Sequence, residues 1–246
     1  MKKIINSITA FLLLALLSIQ LQAKQTADYV KDVLNFELVT YQLTTEFNML
    51  KHNEVGQDFN DLKKVLDSGD ALSARIDPNS KALKPAWDKY RTYAWGKRAD
   101  SQGETDAYIF NDMRALQNEV DAAVEALKKD LSMEMLTQIE KEKLESMLLL
   151  DQMSAEYAEL SAAAFGVFAF TGERSVKLDG RAEEFDKKLE GLKALVEKNP
   201  KAKSTLRKAA LRWKFIKKTI LTYTDRTAPF VVVKTIKKIK SELETV

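Results

Sequence analysis

The chain has one histidine, His52, and no cysteine. Those two facts narrow its chemistry before any fold is considered. A Ser–His–acid triad has to recruit His52, and no nucleophile-elbow pattern lies near it. A di-iron bundle needs two Glu-x-x-His motifs, which one histidine cannot supply. A c-type haem needs cysteine. A b-type haem held by histidine and methionine is formally open, since there are seven methionines, but those on helical seams read as core fillers. Carboxylates cluster in "DFND" (58–61) and "AEEFD" (182–186). Both stretches sit on amphipathic helices, where acids read as solvated faces. The expectation is a protein that is not an enzyme and carries no cofactor or metal.

The basic residues offer a different chemistry. Residues 201–246 hold 13 basic and 3 acidic side chains, a net of +10. Residues 24–200 hold 24 basic and 33 acidic, a net of −9. Either basic helices pack beside acidic ones in one bundle, the plainer reading, or a basic face collects anions. For the second reading the natural anchors are arginines near an inter-helix groove, because a guanidinium binds planar anions through two parallel hydrogen bonds. The candidates are Arg212 and Arg226, beside a stripe through Trp213, with Lys217 and Lys218 in support. The ligand is then a small anion or a carboxylate. The alternative is an adaptor that sets its basic C-terminal hairpin against an acidic envelope protein or an anionic lipid.

These side chains need elements to position them, and a destination. "MKKIINSITAFLLLALLSIQLQAKQ" opens with Lys2 and Lys3, continues with an apolar run from Ile8 to Ile19 and reaches a small residue at Ala23. It reads as a signal peptide over residues 1–23. Its apolar core is shorter than the roughly 20 residues of a bilayer span, which favours cleavage over an uncleaved anchor. With no cysteine, neither a disulfide nor a cysteine-linked lipid is available, so the mature chain relies on core burial. No second apolar segment has spanning length. The expected location is the periplasm or the exterior, where nucleic acid is not an expected partner.

Glycine (8) and proline (4) are scarce, which favours long helices over sheets. Tyr29, Val33, Phe36, Leu43, Phe47 and Leu50 form a helical seam. "DFNDLKKVLDSG" predicts a helix that stops at Gly69, and a further helix carries Trp87, Tyr90 and Trp95. The cleanest seam runs through Ile109, Met113, Leu116, Val120, Ala123 and Leu127. A break is expected at 130–133, with Asp130 or Ser132 capping the next helix, which carries Met147, Leu150, Met153 and Tyr157 to about Phe170. "TGERSVKLDG" (171–180) reads as a loop. Two more helices follow, the second striped by Leu206, Trp213, Ile216 and Ile220. In the last, Val232, Ile236, Ile239 and Leu243 step by four, three and four, while Lys234, Lys237, Lys238 and Lys240 fall on other, solvated faces. Thr227 is placed to cap it, with Pro229 in its first turn. The fold class is all-α, an elongated antiparallel helical bundle. Its eight helices form two sets of four, 24–131 and 132–246, as tandem four-helix units or one merged bundle. Phe59–Trp87 and Phe185–Trp213 share a spacing of 28, a faint trace of duplication.

"LRKAALRWKFIKKTILTYTDRTAPFVVVKTIKKIKSELE" (206–244) resembles the closing two helices of PilJ/NarX-type sensor modules, the helical input domains of chemotaxis transducers and sensor kinases. The resemblance centres on residues 205–244. It implies an exported, all-helical, sensor-like binding bundle, a type that often forms homodimers. The chain departs from that pattern in showing no transmembrane helix after Val246, no HAMP, kinase or methyl-accepting segment, and no nitrate-sensor ligand box.

Overall fold

The computed structural model describes residues 26–52, 58–76, 80–103, 106–162, 173–223 and 228–246. Among them every long element is an α-helix: α1 (Ala27–Met49), α2 (Asn60–Ile76), α3 (Leu83–Lys97), α4 (Ala107–Lys128), α5 (Gln138–Ala162), α6 (Glu173–Leu195), α7 (Pro200–Leu221) and α8 (Pro229–Glu244). The signal-peptide reading of residues 1–23 and the Thr227 cap lie outside the described residues.

Local chemistry accounts for several boundaries. Thr26 Oγ1 accepts from the Tyr29 amide at the start of α1 (3.2 Å). Asn199 accepts from the Ala202 amide at the start of α7, with Pro200 in the first turn, where its missing N–H costs nothing. Between α4 and α5 the chain leaves the helix after Lys128 and makes a 3₁₀ turn at Met133–Met135. The cap of α5 is Thr137, not Asp130 or Ser132. The Thr137 amide donates to Glu140 Oε2 (2.8 Å) and the Glu140 amide donates back to Thr137 Oγ1 (3.3 Å), a reciprocal box that satisfies two exposed N–H groups.

Two helices extend beyond their expected limits. α2 runs through Gly69 to Ile76, because Leu66, Leu72 and Ile76 continue its buried stripe. α6 begins at Glu173, so most of "TGERSVKLDG" is helical. Leu178, Ala182, Phe185, Leu189 and Leu192 are one buried stripe stepping by four and three, and that periodicity outweighs the penalty of Gly180.

Ion pairs report the chain directions. Asp32 pairs with Arg75 near one end of α1, and Glu46 and Asp61 share Lys237 near the other, so α1 and α2 are antiparallel. Glu37–Lys128 and Thr44–Gln117 set α4 antiparallel to α1. In the second half, Glu156–Arg181 and Glu142–Lys188 oppose α5 and α6, and Asp151–Lys240 with Tyr157–Ala228 oppose α5 and α8. Each half is therefore an up-and-down set of four helices around its own apolar cluster. One cluster is built on Phe36, Leu43, Phe47, Trp87 and Tyr90, the other on Met153, Tyr157, Phe185, Trp213 and Ile236. The halves meet along α1 and α5, which run parallel. Gln42–Asp151 and His52–Ser161 both join residues 109 positions apart. α1 consequently touches α2, α4, α5 and α8, and its polar residues Glu37, Thr40, Thr44 and Glu46 are buried together with its apolar ones.

The two tryptophans occupy similar settings by different routes. Trp213 donates to Asp186 (2.7 Å) and meets Phe185 edge-on at 4.7 Å, both from α6. Trp87 donates to Asp70 of α2 (2.8 Å) but meets Phe36 of α1 at 5.3 Å. Phe59 packs on Trp95 instead, so the shared spacing of 28 does not mark equivalent contacts.

Candidate functional site: a charged cleft where the halves meet

The cation candidates are placed apart. Arg212 Nε donates to Glu242 (2.9 Å) and Lys217 to Asp186 (2.5 Å). Lys218 is exposed on α7, and Arg226 lies outside the described residues. Two of the four thus answer carboxylates of their own bundle, Arg212 within residues 201–246 and Lys217 across to residues 24–200. The plainer reading of the charge asymmetry holds for Lys217, and for two lysines of α8 described next.

Lys240 is not on a solvated face, and Lys237, although exposed, turns its ammonium inward to a buried acid. α8 packs against both α7 and α5 and also touches α1, so its buried arc is wide. Lys240 is 8 % exposed and donates to Asp151, which is 3 % exposed and also accepts from Gln42 Nε2 at 2.9 Å. Lys237 reaches across to the buried Glu46 (2.7 Å), with Asp61 at 3.5 Å. Burial pushes the Asp151 and Glu46 carboxyls above the usual range, against the pull of their lysines. Desolvation acts downward on Lys237, but Glu46 and Asp61 outweigh it and hold its ammonium above the ordinary value.

These charges wall one side of a cleft of about 540 Å³ between α1, α2 and α8. Its apolar surface comes from Met49, Leu50, Phe59, Leu62, Phe230 and Val233, and its polar surface from Glu46, Asp58, Asp61, Lys234 and Lys237. A second hollow of about 220 Å³ shares Glu46, Asp61, Val233 and Lys237 and continues the cleft toward Asp151 and Lys240. Asp58 is engaged at the start of α2, where it accepts from the Asn60 amide (3.2 Å). Lys234 is exposed and has no carboxylate partner among the described residues. Sequence reasoning missed this place. The available signal was the polar run "YQLTTE" (41–46) inside an otherwise apolar seam, which marks a helix buried on several sides.

His52 sits at the end of the cleft, edge-on to Phe230 at 6.2 Å, with Nε2 at 3.1 Å from Ser161 Oγ. The Ser161 hydroxyl donates to the Ala158 carbonyl (2.8 Å). Its proton is therefore committed, and the histidine N–H donates to the serine oxygen, the reverse of a base activating a nucleophile. Desolvation, aided by Lys51, lowers the His52 pKa, which keeps the ring neutral. Among the described residues no three of histidine, aspartate and glutamate converge as a metal site.

A second polar layer lies between α1 and α4. Thr44 joins the Tyr90 hydroxyl (2.6 Å) and Gln117 (2.7 Å), Lys128 donates to Glu37 (3.0 Å), and Asp121 accepts from Tyr41 (3.4 Å) and Thr40 (3.5 Å). Burial, with the Glu37 charge second, pushes the Asp121 carboxyl up to about 7 from 3.8. A carboxyl raised in the folded state binds a proton there that the unfolded chain has released, so stability falls as pH rises between those values. Asp121→Asn removes this dependence. The difference in melting temperature, variant minus parent, is expected to climb between about pH 4 and pH 7 and to flatten above. A difference independent of pH over that range rules out Asp121 as the titrating group.

Fold and cleft together define an all-helical bundle with a charge-lined cleft at the junction of its halves. Compared with models of known protein families, with curated proteins and with solved structures, the chain matches none.

Proposed function

We propose that this is an exported, non-enzymatic, sensor-like module that binds a small carboxylate with an apolar body in the cleft between α1, α2 and α8. The observation that supports this reading is the composition of the cleft. Its volume of about 540 Å³ suits a metabolite-sized molecule. Phe59, Leu62, Phe230 and Val233 offer apolar contact, and Lys234 is the lining cation not already answered by an acid. Glu46, Asp58 and Asp61 disfavour a bare inorganic anion, which has no apolar body to offset their repulsion. The position at the junction of the halves, and the resemblance of 205–244 to sensor input domains, support a sensing role in the periplasm or outside the cell.

The test is a melting-temperature screen of aliphatic and aromatic carboxylates against inorganic anions, run on the parent and on Lys234→Glu. A ligand present at 100 times its Kd stabilises by about 2.7 kcal/mol, a rise of several degrees. We expect such a rise for an apolar carboxylate with the parent and its loss with Lys234→Glu. No hit with the parent, or the same rise with the variant, overturns the assignment.

A further inference from the structure

The outer face of α7 belongs to neither the cleft nor the core. Its buried line is Leu206, Ala209, Trp213, Ile216 and Ile220. On the opposite side stand Leu211, 60 % exposed, and Phe215, 69 % exposed. Lys208, Leu211, Phe215 and Lys218 step by three, four and three, and Arg207, Leu211, Lys214 and Lys218 by four, three and four, so all share one solvent-facing stripe. The four cations are exposed and have no carboxylate partner among the described residues. α7 contains no acidic residue. The acids at its borders are already engaged, Asp186 by Lys217 and Glu242 by Arg212.

We infer that this face of α7 docks the protein onto a bilayer surface rich in anionic phospholipid. Two large apolar side chains fringed by four free cations match a medium that presents phosphates above and acyl chains beneath. An acidic protein surface meets the cations but leaves the centre of the stripe without an apolar seat. Among the described residues no helix is long and apolar enough to cross a membrane, so the contact is peripheral. The inference stands apart from the cleft, which is built on α1, α2 and α8.

The chain has no cysteine, so Phe215→Cys carries one environment-sensitive fluorophore, and Asn118→Cys, exposed on α4, serves as control. With vesicles of phosphatidylcholine and phosphatidylglycerol, the label at 215 is expected to shift to the blue while the label at 118 does not. Pure phosphatidylcholine shifts neither. In co-sedimentation of unlabelled protein, Leu211→Ser with Phe215→Ser is expected to reduce vesicle partitioning by about tenfold or more, with helix content and melting temperature unchanged because both residues are exposed. An unshifted label at 215 overturns the inference, as does equal partitioning of the double variant, which reports bare charge attraction or contact elsewhere on the chain. Binding to polyglutamate without binding to anionic vesicles overturns it in favour of an acidic protein partner.

Discussion

Replacing Lys240 with methionine will destabilise the protein by about 3 kcal/mol or more, a fall of roughly 6–12 °C in melting temperature for a chain of this size. Methionine preserves most of the apolar stem but removes the ammonium that answers Asp151. That carboxyl is 3 % exposed and keeps only Gln42 as a donor. Breaking a buried pair from one side costs more than removing both sides, because the survivor stays desolvated and unpaired. Lys240→Met with Asp151→Leu should therefore be more stable than Lys240→Met alone. The pH dependence carries the same signature. Burial already raises the Asp151 carboxyl and Lys240 opposes that rise, so without the lysine the carboxyl moves higher still. A raised carboxyl loses stability as pH increases, and the deficit should be larger at pH 8 than at pH 5. Equal melting temperatures for variant and parent at pH 8 would show that the pair does not hold α8 against α5.

Gly69→Val should cost about 3 kcal/mol, although replacing glycine within a helix ordinarily stabilises it. A Cβ at this position stands 2.1 Å from Cζ2 and 2.4 Å from Cη2 of Trp87. The indole cannot simply swing aside. Its N–H donates to Asp70 at 2.8 Å, and its ring meets Phe36 at 5.3 Å and Tyr90 at 6.1 Å, both edge-on. Making room forfeits that buried hydrogen bond and the packing around it. Gly180 is the control. A Cβ there meets nothing within 4 Å, so Gly180→Ala should stabilise by up to about 1 kcal/mol. Denaturant midpoints measured on both variants decide the matter. In the Gly69→Val background, Trp87→Leu should cost less than it does in the parent, since the collision goes with the indole. A Gly69→Val protein as stable as the parent refutes the close approach of α2 to α3.

Gly69 also shows where local reading ends. Glycine within a helical pattern reads as a stop, and the sequence carries no mark of an indole lying across it 18 residues later. The stretch 171–180 failed for a related reason. Thr171, Gly172 and Gly180 resemble punctuation, while Leu178 gains its weight only once it faces the apolar cluster around Phe185. The cleft was harder still. Lys240 looks solvated when α8 is granted one buried side, and α8 packs against two helices and touches a third. Arg212 and Lys217 looked free because Glu242 and Asp186 are 30 and 31 residues away.

Composition and periodicity alone determine an all-helical chain, the break after α4, and the apolar stripes of α1, α4, α5, α7 and α8. Those properties depend on neighbours three and four residues apart, and a linear pattern records them fully. Which acid answers which lysine, why Gly69 is glycine, and that α1 and α5 run side by side in the same direction were decided only by the tertiary structure. Each depends on groups far apart in the chain, and the energy of a charge or a close contact is set by what surrounds it in space.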